Sequence, residues 1–183
     1  MISKCGPRSE ALRSLKIILV MAFLALSLNI PARAQESWTP AQQFEHLKTF
    51  AGAWSVEGSE TLTIRFEITA NGTVLIENWE TPSGLHSMTI YHMDGAELIG
   101  THYCPQGNQP RLVAQGLTEH NIVRLTFKDA TDLDSSEGFA HDLEFTYDDN
   151  GNLQRREVYW NSEGAESAFT YTLNKADRND DAR

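Results

Sequence analysis

Between positions 54 and 175 apolar and polar residues alternate with a period of two. Leu62, Ile64, Phe66 and Ile68 stand among Thr61, Thr63, Arg65 and Glu67, the pattern of a strand with one buried face. Asn71-Gly72 follows, a strong two-residue hairpin signal, and residues 73–80 return. Pro82-Ser83-Gly84 turns the chain into 85–93, and Asp94-Gly95 turns it into 97–104. Beyond a loop with two prolines and a glycine come 111–118, 122–128, an acidic loop over 129–138, and 139–147. Asn150-Gly151 leads to 153–160, and Ser162-Glu163-Gly164 leads to 165–173. That makes about ten strands joined mostly by short hairpins. A meander of this length must close or leave open edges, so the pattern predicts an all-β fold, an up-and-down antiparallel β-barrel. The alternative, a β-sandwich, needs longer Greek-key crossings than these turns supply.

One stretch changes period. Phe44, Leu47 and Phe50 with Ala51 follow Thr39-Pro40 at helical spacing, and Thr39 suits the N-cap with Pro40 at the first helical position. This predicts one short N-terminal helix, ended by Gly52, with Trp54 opening the first strand.

The beginning of the chain is organised differently. Lys4, Arg8, Arg13 and Lys16 precede an apolar run over 17–28, and Ala32-Arg33-Ala34 is a small-x-small sequence. These are the parts of a signal peptide, expected over 1–34 with cleavage near Ala34-Gln35 and a periplasmic or secreted product. The apolar run is shorter than the roughly 20 residues that span a bilayer, so no stable membrane anchor is expected after cleavage. The organisation that follows is an N-terminal segment with the helix at 35–53, the barrel at 54–175 and a charged tail at 176–183. The whole chain has a formal net charge of -10, and losing the mostly basic leader makes the product more acidic. That argues against nucleic acid as a partner, which needs a basic footprint. Cys5 leaves with the leader, so Cys104 stands alone and forms no intramolecular disulfide; a lone cysteine is most often a buried, inert thiol.

Phe50-Ala51-Gly52-Ala53-Trp54, at the start of the first strand of a meander, resembles the Gly-x-Trp signature of calycins, the lipocalin and fatty-acid-binding-protein group. The strand count is nearer the fatty-acid-binding proteins. The stretch Thr101 to Arg111, the Asp129-Ala130-Thr131 turn and Trp160 also resemble exported bacterial lipocalin-like proteins of an uncharacterised family, over most of the chain after the leader. The resemblance implies a barrel with a ligand in its lumen. Phe169-Thr170-Tyr171 keeps the tyrosine of the carboxylate clamp of fatty-acid-binding proteins and lacks its arginine. Where lipocalins often set an arginine against the first-strand tryptophan, Lys175 or Arg178 has to serve.

Turn register then assigns faces. Two-residue turns pair Phe66 with Glu77 and Ile64 with Trp79 about Asn71-Gly72, and Phe145 with Arg156 and His141 with Trp160 about Asn150-Gly151. That places Glu77, His141, Gln154 and Arg156 inward among apolar neighbours. Carrying the register onward places His86, Met88, Ile90 and His92 inward with Thr101 and Tyr103; a slip of one residue turns His102 and Cys104 inward instead. The lumen then holds a few polar groups among many apolar ones, as a binding cavity does. Candidate ligand-binding residues are Glu77, His102, Tyr103, Asn108, Arg111, His141, Arg156 and Trp160. The expected partner is a small hydrophobic or amphipathic molecule, with Arg156 suited to an anionic group.

Other chemistries find less in the sequence. His102 and Cys104 stand roughly 6–7 Å apart on one strand, beyond the reach of a nucleophile and its base. No His-x-His or Cys-x-x-Cys spacing marks a metal site, and no cofactor is expected. Two alternatives remain open: an enzyme using His141, Glu77 or Tyr103 for acid–base lyase, isomerase or hydrolase chemistry, and a barrel holding haem through one inward histidine such as His141 or His102. N-terminal sequencing of the protein recovered from the periplasm should begin at or near Gln35; soluble cytoplasmic protein that retains Met1 contradicts the export reading.

Overall fold

The computed structural model describes residues 37–114, 116–133, 138–161, 163–164 and 166–176; the expected signal peptide at 1–34, the acidic loop at 134–137 and the tail from 177 lie outside them. Thr39 opens the helix from extended backbone. Its Oγ1 accepts from the Gln42 amide at 3.3 Å, and Gln42 Oε1 accepts from the Thr39 amide at 2.9 Å, a reciprocal cap that satisfies two otherwise orphaned donors. With Pro40 at the first helical position, α1 runs Pro40–Lys48 and buries Gln43, Phe44 and Leu47. Gln43 ties the helix down: its amide nitrogen donates to the carbonyls of Trp38 and Gly116, each at 3.4 Å, and its oxygen accepts from the Arg124 amide at 3.2 Å. The helix therefore covers one end of the barrel. Beside it β1 (Ser37–Trp38) pairs with β8 (Thr118–Glu119) in a separate two-stranded ribbon.

The remaining ten strands close on themselves: β2 (Gly52–Val56), β3 (Thr63–Thr69), β4 (Val74–Thr81), β5 (Gly84–Asp94), β6 (Glu97–Tyr103), β7 (Gln109–Val113), β9 (Val123–Thr131), β10 (Phe139–Tyr147), β11 (Leu153–Trp160) and β12 (Glu166–Lys175). Every ladder is antiparallel. This is the expected all-β barrel with one short helix. Where the first barrel strand meets the last, the wall is held by a short ladder: β2 and β12 share three pairs, Trp54–Val56 against Leu173–Lys175, as many as β6 and β7 share. Trp54 sits at that joint and at the helix end. Its indole nitrogen donates to the Phe50 carbonyl at 2.7 Å, and Lys175 Nζ lies 5.3 Å from its ring centroid. Lys175 thus stands where the lipocalin arginine was expected.

The hairpins decide what faces inward. About Asn71-Gly72 the pairs are Ile68 with Leu75, Phe66 with Glu77 and Ile64 with Trp79, as the alternation indicated. At the hairpin between β4 and β5 the expected register fails. Pro82-Ser83 forms the loop, and a bulge between Trp79 and Glu80 inserts one residue, so Trp79 faces Ser87. An inserted residue turns every following side chain to the other face. Ser87, Thr89 and Tyr91 point inward in place of His86, Met88, Ile90 and His92. On β6 His102 is buried and Tyr103 is exposed.

The turn at Asn150-Gly151 is a second correction. Asp148 accepts from the amides of Asn150 and Asn152 at 2.9 and 2.8 Å, and its own amide donates to the Asn152 carbonyl at 3.0 Å. That side-chain bonding lengthens the loop by one residue, with Gly151 at φ 81°. Tyr147 then faces Leu153 and Phe145 faces Arg155, and a bulge between Ala140 and Asp142 brings Phe139, not His141, opposite Trp160. The inward residues of β11 are Leu153, Arg155, Glu157 and Tyr159, where Gln154 and Arg156 had been expected. Arg155 is 1% exposed, whereas the Arg156 side chain is 42% exposed and lies 3.9 Å from Glu166. Neighbouring arginines should therefore respond very differently to substitution. Arg155→Met should lower stability by about 3–5 kcal/mol because it strands a buried carboxylate. Arg156→Met should stay within about 0.5 kcal/mol of wild type. Urea denaturation of the two variants checks this, and similar losses for both would contradict the register.

Candidate functional site

Read from the helix-covered end to the other, the inward side chains change character in step. Along β4 they run Leu75, Glu77, Trp79; along β6, Leu98, Gly100, His102; along β11, Leu153, Arg155, Glu157, Tyr159. β12 runs the opposite way, with Phe169, Tyr171 and then Leu173. An apolar floor thus gives way to a charged middle layer and then to an aromatic, polar rim. The floor is built from Phe50, Phe66 and Phe145, with ring centroids 5.6 to 6.0 Å apart.

In the middle layer Glu77 is fully buried and accepts three hydrogen bonds. Arg155 Nε reaches Oε1 at 2.5 Å, Trp79 Nε1 reaches the same oxygen at 2.7 Å, and Tyr91 OH reaches Oε2 at 2.5 Å. Two small features make room for this. Gly100 lies directly across from Tyr91, and a Cβ there would stand 3.1 Å from Tyr91 Cε1 and 3.2 Å from Leu125 Cδ2. The bulge in the β4–β5 hairpin brings Tyr91 onto the inward face in the first place.

Arg155 spends a second donor on another carboxylate. Its Nη1 lies 2.6 Å from Glu157 Oε2, and its guanidinium carbon lies 4.5 Å from the centre of the Trp79 ring. Burial by itself would lower the Arg155 pKa, yet Glu77 and then Glu157 hold it above its usual value. Glu157 receives Tyr171 OH on its other oxygen at 3.2 Å. Burial first and Glu157 second push the Tyr171 hydroxyl up to about 12 and lift Tyr159 above its ordinary range. Both phenols remain protonated donors at neutral pH.

His102 completes the rim. Its Nδ1 is 2.9 Å from Thr89 Oγ1 and its Nε2 is 3.4 Å from Tyr159 OH. Burial, helped by the Arg155 charge, lowers its pKa to about 4, so the ring is neutral at neutral pH. A cavity of about 10 Å³ lies among His102, Thr89, Arg155 and Glu157, enough for about one water molecule. Further toward that end Phe169, paired across from Glu157, is 48% exposed although it stands on the inward side of β12.

The expected candidates separate. Glu77 and His102 belong to this cluster. Arg156 and Tyr103 point outward. Arg111 holds Asp129 on the exterior through two bonds of 2.6 Å each. Asn108 is buried and donates to the Gly138 carbonyl at 3.0 Å, pinning the loop after β6 to the start of β10. His141 and Trp160 do meet, stacked at 3.9 Å, but Trp160 follows the inward Tyr159 and so faces out, 37% exposed. The acid–base candidates His141, Glu77 and Tyr103 do not converge. Haem does not fit the space beside His102, whose two ring nitrogens already face Thr89 and Tyr159. Among the described residues no three His, Cys, Asp or Glu side chains gather as a metal site. Arg155, Glu157, Tyr91, Tyr159 and Tyr171 were missed. The signal that finds the β11 residues is Asp148 standing two residues before Asn150-Gly151, an Asx turn that lengthens the loop.

The lowered His102 pKa fixes the sign of a pH dependence. Unfolded, the imidazole takes up its proton near pH 6.5, while in the fold it resists protonation until about pH 4. Its contribution is complete above pH 6.5, shrinks as pH falls through that window and is gone below pH 4. The full change should be about 3 kcal/mol. Urea titrations from pH 4 to 7 should show a steeper loss for wild type than for His102→Gln; parallel curves contradict a buried neutral His102.

No family model and no curated protein matches the chain. The closed antiparallel barrel of ten strands with its single short helix is consistent with a calycin-like fold.

Proposed function

We propose that this is an exported, periplasmic protein that binds a small, partly apolar molecule at the open end of its barrel. The observation that carries the reading is Phe169. A large aromatic side chain on the inward face of β12 is left 48% exposed, at the position paired with Glu157 and with its ring 6.5 Å from the Tyr159 ring. A barrel whose only purpose is its own stability buries such a ring, since exposing it forfeits roughly 1.5–3 kcal/mol. The rim instead offers apolar surface beside a few convergent polar groups, which is how ligand sites are built. The floor below is packed, so the ligand occupies the mouth and not the full depth of the lumen. Export rests on the basic start, short apolar run and Ala32-Arg33-Ala34 of the leader.

Native mass spectrometry of protein purified from the periplasm of its own host tests this. A non-covalent adduct should accompany the processed chain, disappear on denaturation and be depleted in Phe169→Ala. Bare chain in every native preparation overturns the reading.

A further inference from the structure

Among the described residues three charged side chains, Glu77, Glu157 and Arg155, are buried inside this barrel, and their balance is uneven. Glu77 and Glu157 share one guanidinium, Arg155. Among the described residues, the inward positions of β4, β5, β6, β11 and β12 around the middle layer and the rim carry no second lysine or arginine; Lys175, on the same face of β12, lies at the helix-covered end against Trp54. His102, a further basic group at the rim, is buried and neutral at neutral pH. Arg155 gives Nε to the deeper carboxylate and Nη1 to the outer one, at 2.5 and 2.6 Å. The outer carboxylate has the phenol of Tyr171 as its other partner, and its side chain is 11% exposed toward the mouth.

The walls around Glu157 are aromatic. Trp79 and Tyr171 meet edge to face at 5.0 Å, and Tyr159 and Phe169 do so at 6.5 Å. The chain already shows what such rings hold, because the Arg155 guanidinium lies 4.5 Å from the Trp79 centroid. That inner seat over an aromatic face is taken. The outer one, between Tyr159 and Phe169, is not taken by any lysine or arginine contact among the described residues.

Resting on the reading of the rim as a binding site, we propose that its ligand is a cation: a small ammonium compound with an apolar or aromatic body. Its positive head would lie against Glu157 and the faces of Tyr159 and Phe169, where ring quadrupoles and the carboxylate act with the same sign. Its body would cover the exposed Phe169 ring. An anion would meet Glu157 at the rim and a guanidinium whose nearest donors are already committed, so the mouth disfavours the anionic ligand that an inward Arg156 had suggested. The acidity of the chain, -10 overall, adds a long-range bias in the same direction.

Calorimetric titration of the processed protein with three probes of similar size tests this: benzyltrimethylammonium, benzyl alcohol and benzoate. The cation should bind about tenfold tighter than either other probe, the scale of one favourable charged contact. Added salt should narrow the margin, and Glu157→Gln should remove it. Phe169→Ala, at an exposed position that the fold tolerates, should weaken the cation by about tenfold and reads the same site if Glu157→Gln fails to fold. Equal or tighter binding of benzyl alcohol or benzoate overturns the cation proposal and leaves binding at the mouth standing. If no probe binds, the adduct in native mass spectrometry decides: an ammonium compound upholds the proposal, and a neutral or anionic one overturns it. No probe binding together with bare chain removes both readings.

Discussion

A guanidinium held between two carboxylates inside a closed barrel is the constraint that the rest of this structure serves. Removing such charges from water costs several kcal/mol each, and good geometry only just offsets it. The offset here is assembled from five strands. β11 supplies Arg155 and Glu157, β4 supplies Glu77 and Trp79, β5 supplies Tyr91 and β12 supplies Tyr171. β6 contributes an absence of side chain, since Gly100 leaves the space that the Tyr91 ring fills. The packed aromatic floor below gives these bonds a dry setting, which strengthens each of them and penalises any that is left unmade.

The architecture was legible because it depends on patterns that repeat. Alternation over many strands, a helix announced by Thr39-Pro40 and short turns leave little besides a barrel. Glu77 was legible as an inward charge because the Asn71-Gly72 hairpin keeps simple register. The rest of the cluster was not, and the reason is local. One residue added by the Asp148 side chain at one turn, and one added by the bulge opposite Leu85 to Ser87, reverse the faces of β11 and β5. Both faces of β11 carry an arginine and an aromatic, so composition does not reveal the error. Arg156 looked like the buried partner of Glu77, and the partner is its neighbour.

The polar stretch from the end of β6 into β7 shows a different limit. Thr101 to Arg111 gathers an imidazole, a phenol, a thiol, amides and a guanidinium in a few positions, which invites a reading as one site. In the fold these groups part company. His102 turns inward, Tyr103 outward, Asn108 braces a loop and Arg111 pairs with Asp129 on the exterior. Density of chemistry along the chain did not become density in space, because alternation along a strand divides neighbours between two faces.

The three-pair seam between β2 and β12 also has a consequence in time. It joins residues 54–56 to residues 173–175, so the wall is completed only when nearly the whole chain is present. Every other ladder of the barrel wall links strands adjacent or nearly adjacent in sequence, and the hairpins among them can form within microseconds. The seam must await closure of the largest loop in the protein, a step whose entropic cost precedes its reward. A chain delivered from its N-terminus therefore presents Trp54 early, while its partners across the seam, Leu173 to Lys175, come late.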